Sequence, residues 1–120
     1  MVVKDFEDLR VWQDARVLAN RLFKLFGESR DFAFRDQILR SGISVMNNIA
    51  EGFDRYSKTE FKRFLQFSLA SCSEVKSMLY LAIDFNYITG EEASELMALC
   101  MKIKAGIMNL IKSLKLNKDT

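Results

Sequence analysis

Catalysis at neutral pH draws most often on histidine, on paired carboxylates, or on a serine or cysteine activated by a neighbouring base. This chain of 120 residues contains no histidine. The commonest general base is therefore missing, and with it the usual partner of a nucleophilic Ser or Cys. A ferritin-like di-metal site takes Glu-x-x-His pairs projecting into a helical bundle, and none can be written here. Glu51 and Glu74 are the acids that fall centrally in helical stretches beside apolar stripes, too few for an all-carboxylate cage. No glycine-rich phosphate loop occurs. These residues predict a protein that is not an enzyme and that carries no metal or cofactor. Cys72 and Cys100 each sit in an apolar stripe, which reads as two buried free thiols.

Other polar groups invite a binding or assembly role. Glu74 shares a stripe with Phe64, Phe67, Ser71, Met78, Leu81 and Phe85, where a carboxylate is costly unless paired. Three readings stay open for it: a pair with Arg40 or a hydrogen bond with Asn47 or Asn48, contact with a ligand in a cavity, or plain exposure. Upstream, Gln37, Ser41, Ser44 and Asn48, with Arg40, Asn47 and Glu51, make a polar strip rich in small residues. Ser41, Gly42 and Ser44 permit close helix approach, and Asn47, Asn48 and Glu51 can satisfy one another across an interface. Packing or assembly is the first reading of this strip, ligand recognition the second.

Basic residues gather in two places. Arg55, Lys58, Lys62 and Arg63 surround one turn, and Lys102, Lys104, Lys112, Lys115 and Lys118 follow one another without an intervening acid. Such runs are usually solvated faces, but a lysine stripe on one helix can also follow a phosphate backbone. Exposed aromatics interleaved with the second run, which would suggest base stacking, are missing.

The elements that position these groups are helices. Proline is absent, where average usage of roughly 5% would supply about six, and five glycines remain. The first helix is expected over about residues 9–26, with Trp12, Ala15, Ala19, Leu22, Phe23 and Phe26 on one apolar line and Val11, Leu18 and Leu25 on a second. Gly27 is its expected stop. The second is expected over about residues 34–55, with Phe34, Ile38, Val45, Ile49 and Phe53 in a four-three rhythm and Leu39, Ile43, Met46 and Ala50 alongside. Ser57 and Glu60 form the signature of a reciprocal capping box for a third helix, about 58–86. Its seam is Phe61, Leu65, Ser68, Cys72, Val75, Leu79 and Ala82. Thr89 and Glu92 repeat the box for a fourth, about 90–115, whose seam is Ala93, Leu96, Cys100, Ile103, Ile107, Leu110 and Leu114. Short connections between four such helices predict an all-α, single antiparallel up-down-up-down four-helix bundle spanning residues 1–120, with Trp12, Ile49, Val75 and Ile107 in its core.

Bulk composition agrees. Apolar residues make up 49% of the chain, charged residues 28%, and net charge is +2, a globular balance that names no partner. The first thirty residues carry charges at nearly every turn, without the apolar h-region of a secretory signal. No stretch approaches the roughly 18 uncharged apolar residues of a membrane span. A cytoplasmic protein with no membrane association is expected.

Several segments together resemble a known family. They are Phe6-Glu-Asp-Leu9-Arg-Val-Trp12-Gln13, Gln37-Ile-Leu-Arg40-Ser-Gly-Ile43-Ser44, Asn48-Ile49-Ala50-Glu51-Gly52 with Arg55, and Phe61-x-x-Phe64-Leu65 leading to Ser71-x-x-Glu74. Across nearly the whole chain they resemble the four-helix-bundle proteins encoded in 23S rRNA intervening sequences. The resemblance implies a homo-oligomer, typically a pentamer of ring or barrel shape, with no enzymatic activity. It implies a structural or interfacial role for Arg40, Ser44, Asn48, Glu51, Gly52, Arg55, Ser71 and Glu74. A related branch, the accessory proteins of diversity-generating retroelements, implies an alternative: a basic pentameric adaptor that engages a reverse transcriptase and nucleic acid. The family commonly carries prolines before helix two and in a Ser-Ile-Pro at its centre. Here the centre reads Ser44-Val45-Met46, which predicts a straighter helix two, and the modest net charge is low for the retroelement branch.

Overall fold

The computed structural model describes residues 3–114. A 3-10 turn, Phe6–Asp8, leads into four helices: α1 (Arg10–Phe26), α2 (Phe32–Phe53), α3 (Lys58–Asp84) and α4 (Gly90–Ser113). Each helix touches the next and α1 also touches α4, whereas the diagonal pairs α1/α3 and α2/α4 do not meet. This is the expected up-down-up-down bundle, an elongated body of 50 × 24 × 19 Å.

The helix ends follow local chemistry. Asp31 caps α2 by accepting from the Phe34 amide, so the helix starts at Phe32, two residues earlier than expected. The Thr89 and Glu92 box of α4 is complete in both directions. At α3 only one arm forms: Ser57 accepts from the Glu60 amide, while the Glu60 carboxylate goes to Arg63. Gly27 closes α1 with right-handed backbone, φ −59°, not as a left-handed cap. Its small size is what counts there, since an added Cβ would lie 2.5 Å from the Phe23 carbonyl oxygen. The left-handed residues are Asn86 and Tyr56. Asn86 ends α3, with the Tyr87 amide reaching back to the Ala82 carbonyl, a Schellman arrangement.

The core is one continuous cluster drawn from all four helices. The predicted seam of α3 is buried at every position, and that of α4 from Ala93 through Ile107, with Leu110 and Leu114 half-buried. On α2, Phe34, Ile38, Val45 and Ile49 are buried and Phe53 is half-buried. Ile49, Val75 and Ile107 are wholly enclosed; each such side chain stabilises the fold by about 1.5–3 kcal/mol. Cys72 and Cys100 are buried free thiols, the Cys72 thiol donating to the Cys100 carbonyl at 3.4 Å.

On α1 the expected lines need correction. The buried line is Val11, Ala15, Leu18, Leu22 and Phe26; Trp12 is half-buried, and Phe23 is 66% exposed. The difference is one of angle about the helix axis, and the side facing Gly42 of α2 is that of Leu22. A Cβ there would lie 2.5 Å from Leu22 Cδ1, so Leu22 and Ala19 take the closest approach. Phe23, one position further round the helix, projects beyond the seam, and so does Ile43 from the other side, 47% exposed.

Candidate functional site

The seam between α2 and α3 concentrates the polar residues singled out in the sequence. It is tight because α2 offers glycine where α3 offers phenylalanine: a Cβ on Gly52 would lie 2.5 Å from Phe64 Cβ. Next to it the wholly buried Ser68 hydroxyl donates to the Val45 carbonyl at 2.6 Å. Ser44 and Ser71 share a hydrogen bond of 2.8 Å, and the Asn48 amide donates to both the carbonyl and the hydroxyl of Ser44 at 2.9 Å. One turn on, Glu74 accepts from Gln37 Nε2 at 3.0 Å and from the Ser41 hydroxyl.

The expected partners of Glu74 are therefore corrected. Arg40 and Asn47 are exposed and join none of these bonds, and Asn48 serves Ser44 instead. The reason is angular: Gln37, Ser41, Ser44 and Asn48 recur every three or four residues on the flank of α2 that meets α3, while Arg40 and Asn47 fall further round. Glu51 pairs with Arg55 on its own helix at 3.0 Å. Within the described residues no buried side-chain nitrogen or oxygen lacks a hydrogen-bond partner, and the ladder runs out to an exposed, hydrogen-bonded Glu74.

The two basic groups fare differently. Lys102 reaches Asp14 of α1 at 3.7 Å, whereas Lys104 donates to the Ser73 hydroxyl of α3 at 3.2 Å. They lie on opposite flanks of α4, because two positions along a helix turn a side chain through about 200°. Lys102 and Lys104 therefore do not share one stripe; Lys112 is exposed, and Lys115 and Lys118 lie outside the described residues.

At the α2–α3 corner the cations do converge. The Arg55 guanidinium lies 4.9 Å from the Phe64 ring centre, and that of Arg63 lies 5.7 Å from Phe64 and 5.2 Å from Phe67. Lys58 is exposed and Lys62 half-buried on the same first turns of α3. Tyr56, absent from the residues singled out in the sequence, stands 84% exposed on a left-handed backbone, φ 56°. Beside it an apolar groove of about 300 Å³ is floored by Phe53, Phe61 and Leu114 and edged by Lys4 and Lys58. An aromatic inside a charged turn was the available signal, but its backbone geometry is not readable from residue types.

The same architecture is found in known proteins. A sequence profile of the 23S rRNA-intervening sequence protein family matches residues 7–109. This chain belongs to that family. The match takes in the whole polar ladder, the α2–α3 corner, Lys102 and Lys104. A similar solved structure is a protein of unknown function from the S23 ribosomal protein family of Bacteroides thetaiotaomicron VPI-5482, determined at 1.70 Å; it aligns with a TM-score of 0.79 and 29% identity over 85% of this chain and 98% of its own. No curated protein matches the chain. Two further properties of this family member are plain from its described residues: no group of three or more Cys, Asp or Glu side chains is placed to hold a metal ion, and no helix is long and apolar enough to cross a membrane.

Proposed function

We propose that this family member is a non-enzymatic, self-associating helical bundle, a pentamer as its family resemblance implies, that works in the cytoplasm and binds RNA or a ribonucleoprotein through its basic surface. The observation that carries the assembly reading is an apolar lining outside an already complete core. Phe67, Glu74 and Leu81 follow one another at heptad spacing on the outer side of α3, with Phe85 beyond them, and Met101 and Met108 do the same on α4; the five apolar side chains are between 40% and 50% exposed. A half-exposed line at heptad spacing outside a complete core is the pattern of a helix seam that can take another helix. The polar ladder then stiffens the α2–α3 pair that presents the line.

Light scattering on a sizing column tests the assembly. A mass near five times the 13.9 kDa chain is expected, and Leu81→Glu should reduce it without loss of helicity; a monomeric native protein would overturn the reading. For the nucleic-acid half, a gel shift with ribosomal RNA fragments should weaken steeply between low and high salt, because phosphate contacts release counterions. The alternative, an adaptor gripping a partner such as a reverse transcriptase, draws on the same apolar lines. It would be preferred if RNA fails to bind at low salt while the assembly persists.

A further inference from the structure

We propose that the α2–α3 corner is a binding site for single-stranded nucleic acid, with bases stacking on Tyr56 and on the guanidinium faces of Arg55 and Arg63, and with Lys4, Lys58 and Lys62 on the phosphates. The proposal rests on the RNA-binding reading above and adds the place and the strandedness.

Three independent features meet at this corner. First, Tyr56 presents a large ring to water from a backbone conformation that costs an ordinary L-residue roughly 1–2 kcal/mol. The turn after α3 solves the same problem with Asn86, which tolerates that conformation; Tyr56 gains nothing for the fold by being a tyrosine, since its side chain is 84% exposed. Second, Arg55 and Arg63 lie over the Phe64 and Phe67 rings. A guanidinium over an aromatic ring can offer its other face to a base, and its edge to a phosphate once the carboxylate there is displaced. Their carboxylate partners Glu51 and Glu60 are exposed ion-pair members, 55% and 36% accessible. Exposed pairs of this kind are worth about 0–1 kcal/mol, so a phosphate displaces them readily. Third, the groove beside Tyr56 is apolar in its floor and cationic at its edge, and its volume of about 300 Å³ matches the lower end of small-ligand sites, roughly 300–1,000 Å³.

A base stacked on Tyr56 can drop its edge into this groove while Lys4 and Lys58 take the flanking phosphates. Duplex cannot use such a site, because its bases are already stacked and its faces hidden. The lysines of α4 lack the aromatic element: Lys102 and Lys104 face apart, each with a partner on a neighbouring helix.

The test is fluorescence anisotropy with a labelled 20-nucleotide single-stranded RNA of mixed sequence and the corresponding duplex, at low and moderate salt. The native protein should prefer the single strand. Tyr56→Ala should weaken single-strand binding roughly 5-fold to 100-fold, and the charge-preserving pair Arg55→Lys with Arg63→Lys should weaken it as well. Tyr56→Asn supplies the control for folding: it relieves the left-handed strain, so it should raise the melting temperature while weakening binding. Equal binding of both probes, or native affinity in the Tyr56 and arginine variants, would overturn the corner site and leave RNA binding itself standing. Binding of neither probe at low salt would remove both.

Discussion

Ser68 on α3, wholly buried, donates its hydroxyl to the carbonyl oxygen of Val45 on α2 at 2.6 Å. Replacing it with alanine removes one hydrogen bond from an acceptor that keeps a second lone pair for its own helix, so Ser68→Ala should cost about 1 kcal/mol. Ser68→Leu should cost more, about 1–3 kcal/mol, because the seam has no room for the added methylenes. Urea midpoints for the two variants measure the difference; a leucine variant as stable as the alanine one would mean the seam is looser than described.

Gly52 and Gly90 should respond in opposite directions to the same change. At Gly52 a Cβ meets Phe64 Cβ at 2.5 Å and Phe61 Cδ1 at 3.2 Å, whereas at Gly90 nothing lies within 4 Å. Gly52→Ala should destabilise by about 1–3 kcal/mol through overpacking. Gly90→Ala, at the first position of α4, should be neutral or stabilise by up to about 1 kcal/mol through the unfolded chain's lost freedom. Thermal unfolding of both variants checks the contrast.

The caps also differ in what they hold. Thr89→Ala removes the side-chain arm of a complete capping box and should cost about 0.5–2 kcal/mol. Ser57→Ala removes the single arm that forms at α3 and should fall at the low end of that range. Loss of helicity near α4 on hydrogen exchange, without global unfolding, is the expected signature of the first.

Asp31 and Tyr87 tie the far end of the bundle together with a 2.5 Å hydrogen bond. The bond from Tyr87, and then the Phe34 amide, hold the Asp31 carboxyl below its ordinary value, and the same bond raises the Tyr87 hydroxyl. The Asp31 contribution is therefore present above about pH 4 and lost as pH falls through the lowered folded-state value. The Tyr87 contribution is present below about pH 10 and lost as pH rises through the raised one. Tyr87→Phe should flatten both ends of the stability–pH curve. Native and variant curves that keep the same separation from acid to alkali would refute the coupling.

The buried thiols should be silent in the folded protein. Hydrogen bonding with Cys72, and then burial, push the Cys100 thiol far above its ordinary range, whereas hydrogen bonding with Cys100 lowers that of Cys72; what silences Cys72 is that a wholly buried sulfur is out of a reagent's reach. Native protein should label slowly with a thiol reagent, and denatured protein should label at both positions.

Most of the fold was legible because helical periodicity is a local property. The seam of α3 from Phe61 to Ala82 and that of α4 from Ala93 to Ile107 read directly as four-three rhythms, and every one of those positions is buried. Such a rhythm assigns each side chain an angle about its own helix axis. It does not say which of two adjacent lines on a helix faces its neighbours, which is why Phe23 read as core. The candidate site was legible in part for the same reason: the polar strip of α2 was visible, and so were Arg55, Lys58, Lys62 and Arg63, but which groups meet across the seam was not.

By itself, then, the sequence determined the number and order of helices, the core faces of α2, α3 and α4 and the type of cap at Thr89. Tertiary structure decided what depends on the distance and rotation between helices. Gly42 sets Leu22 against α2, and Phe23 and Ile43 fall outside that contact. The rotation of α2 hands Glu74 to Gln37 and Ser41 and leaves Arg40 in water. The geometry of one turn stands Tyr56 out in water, and packing lays Arg55 and Arg63 over the Phe64 ring. Residue types carry the first kind of information along the chain, whereas the second exists only once four helices have settled against one another.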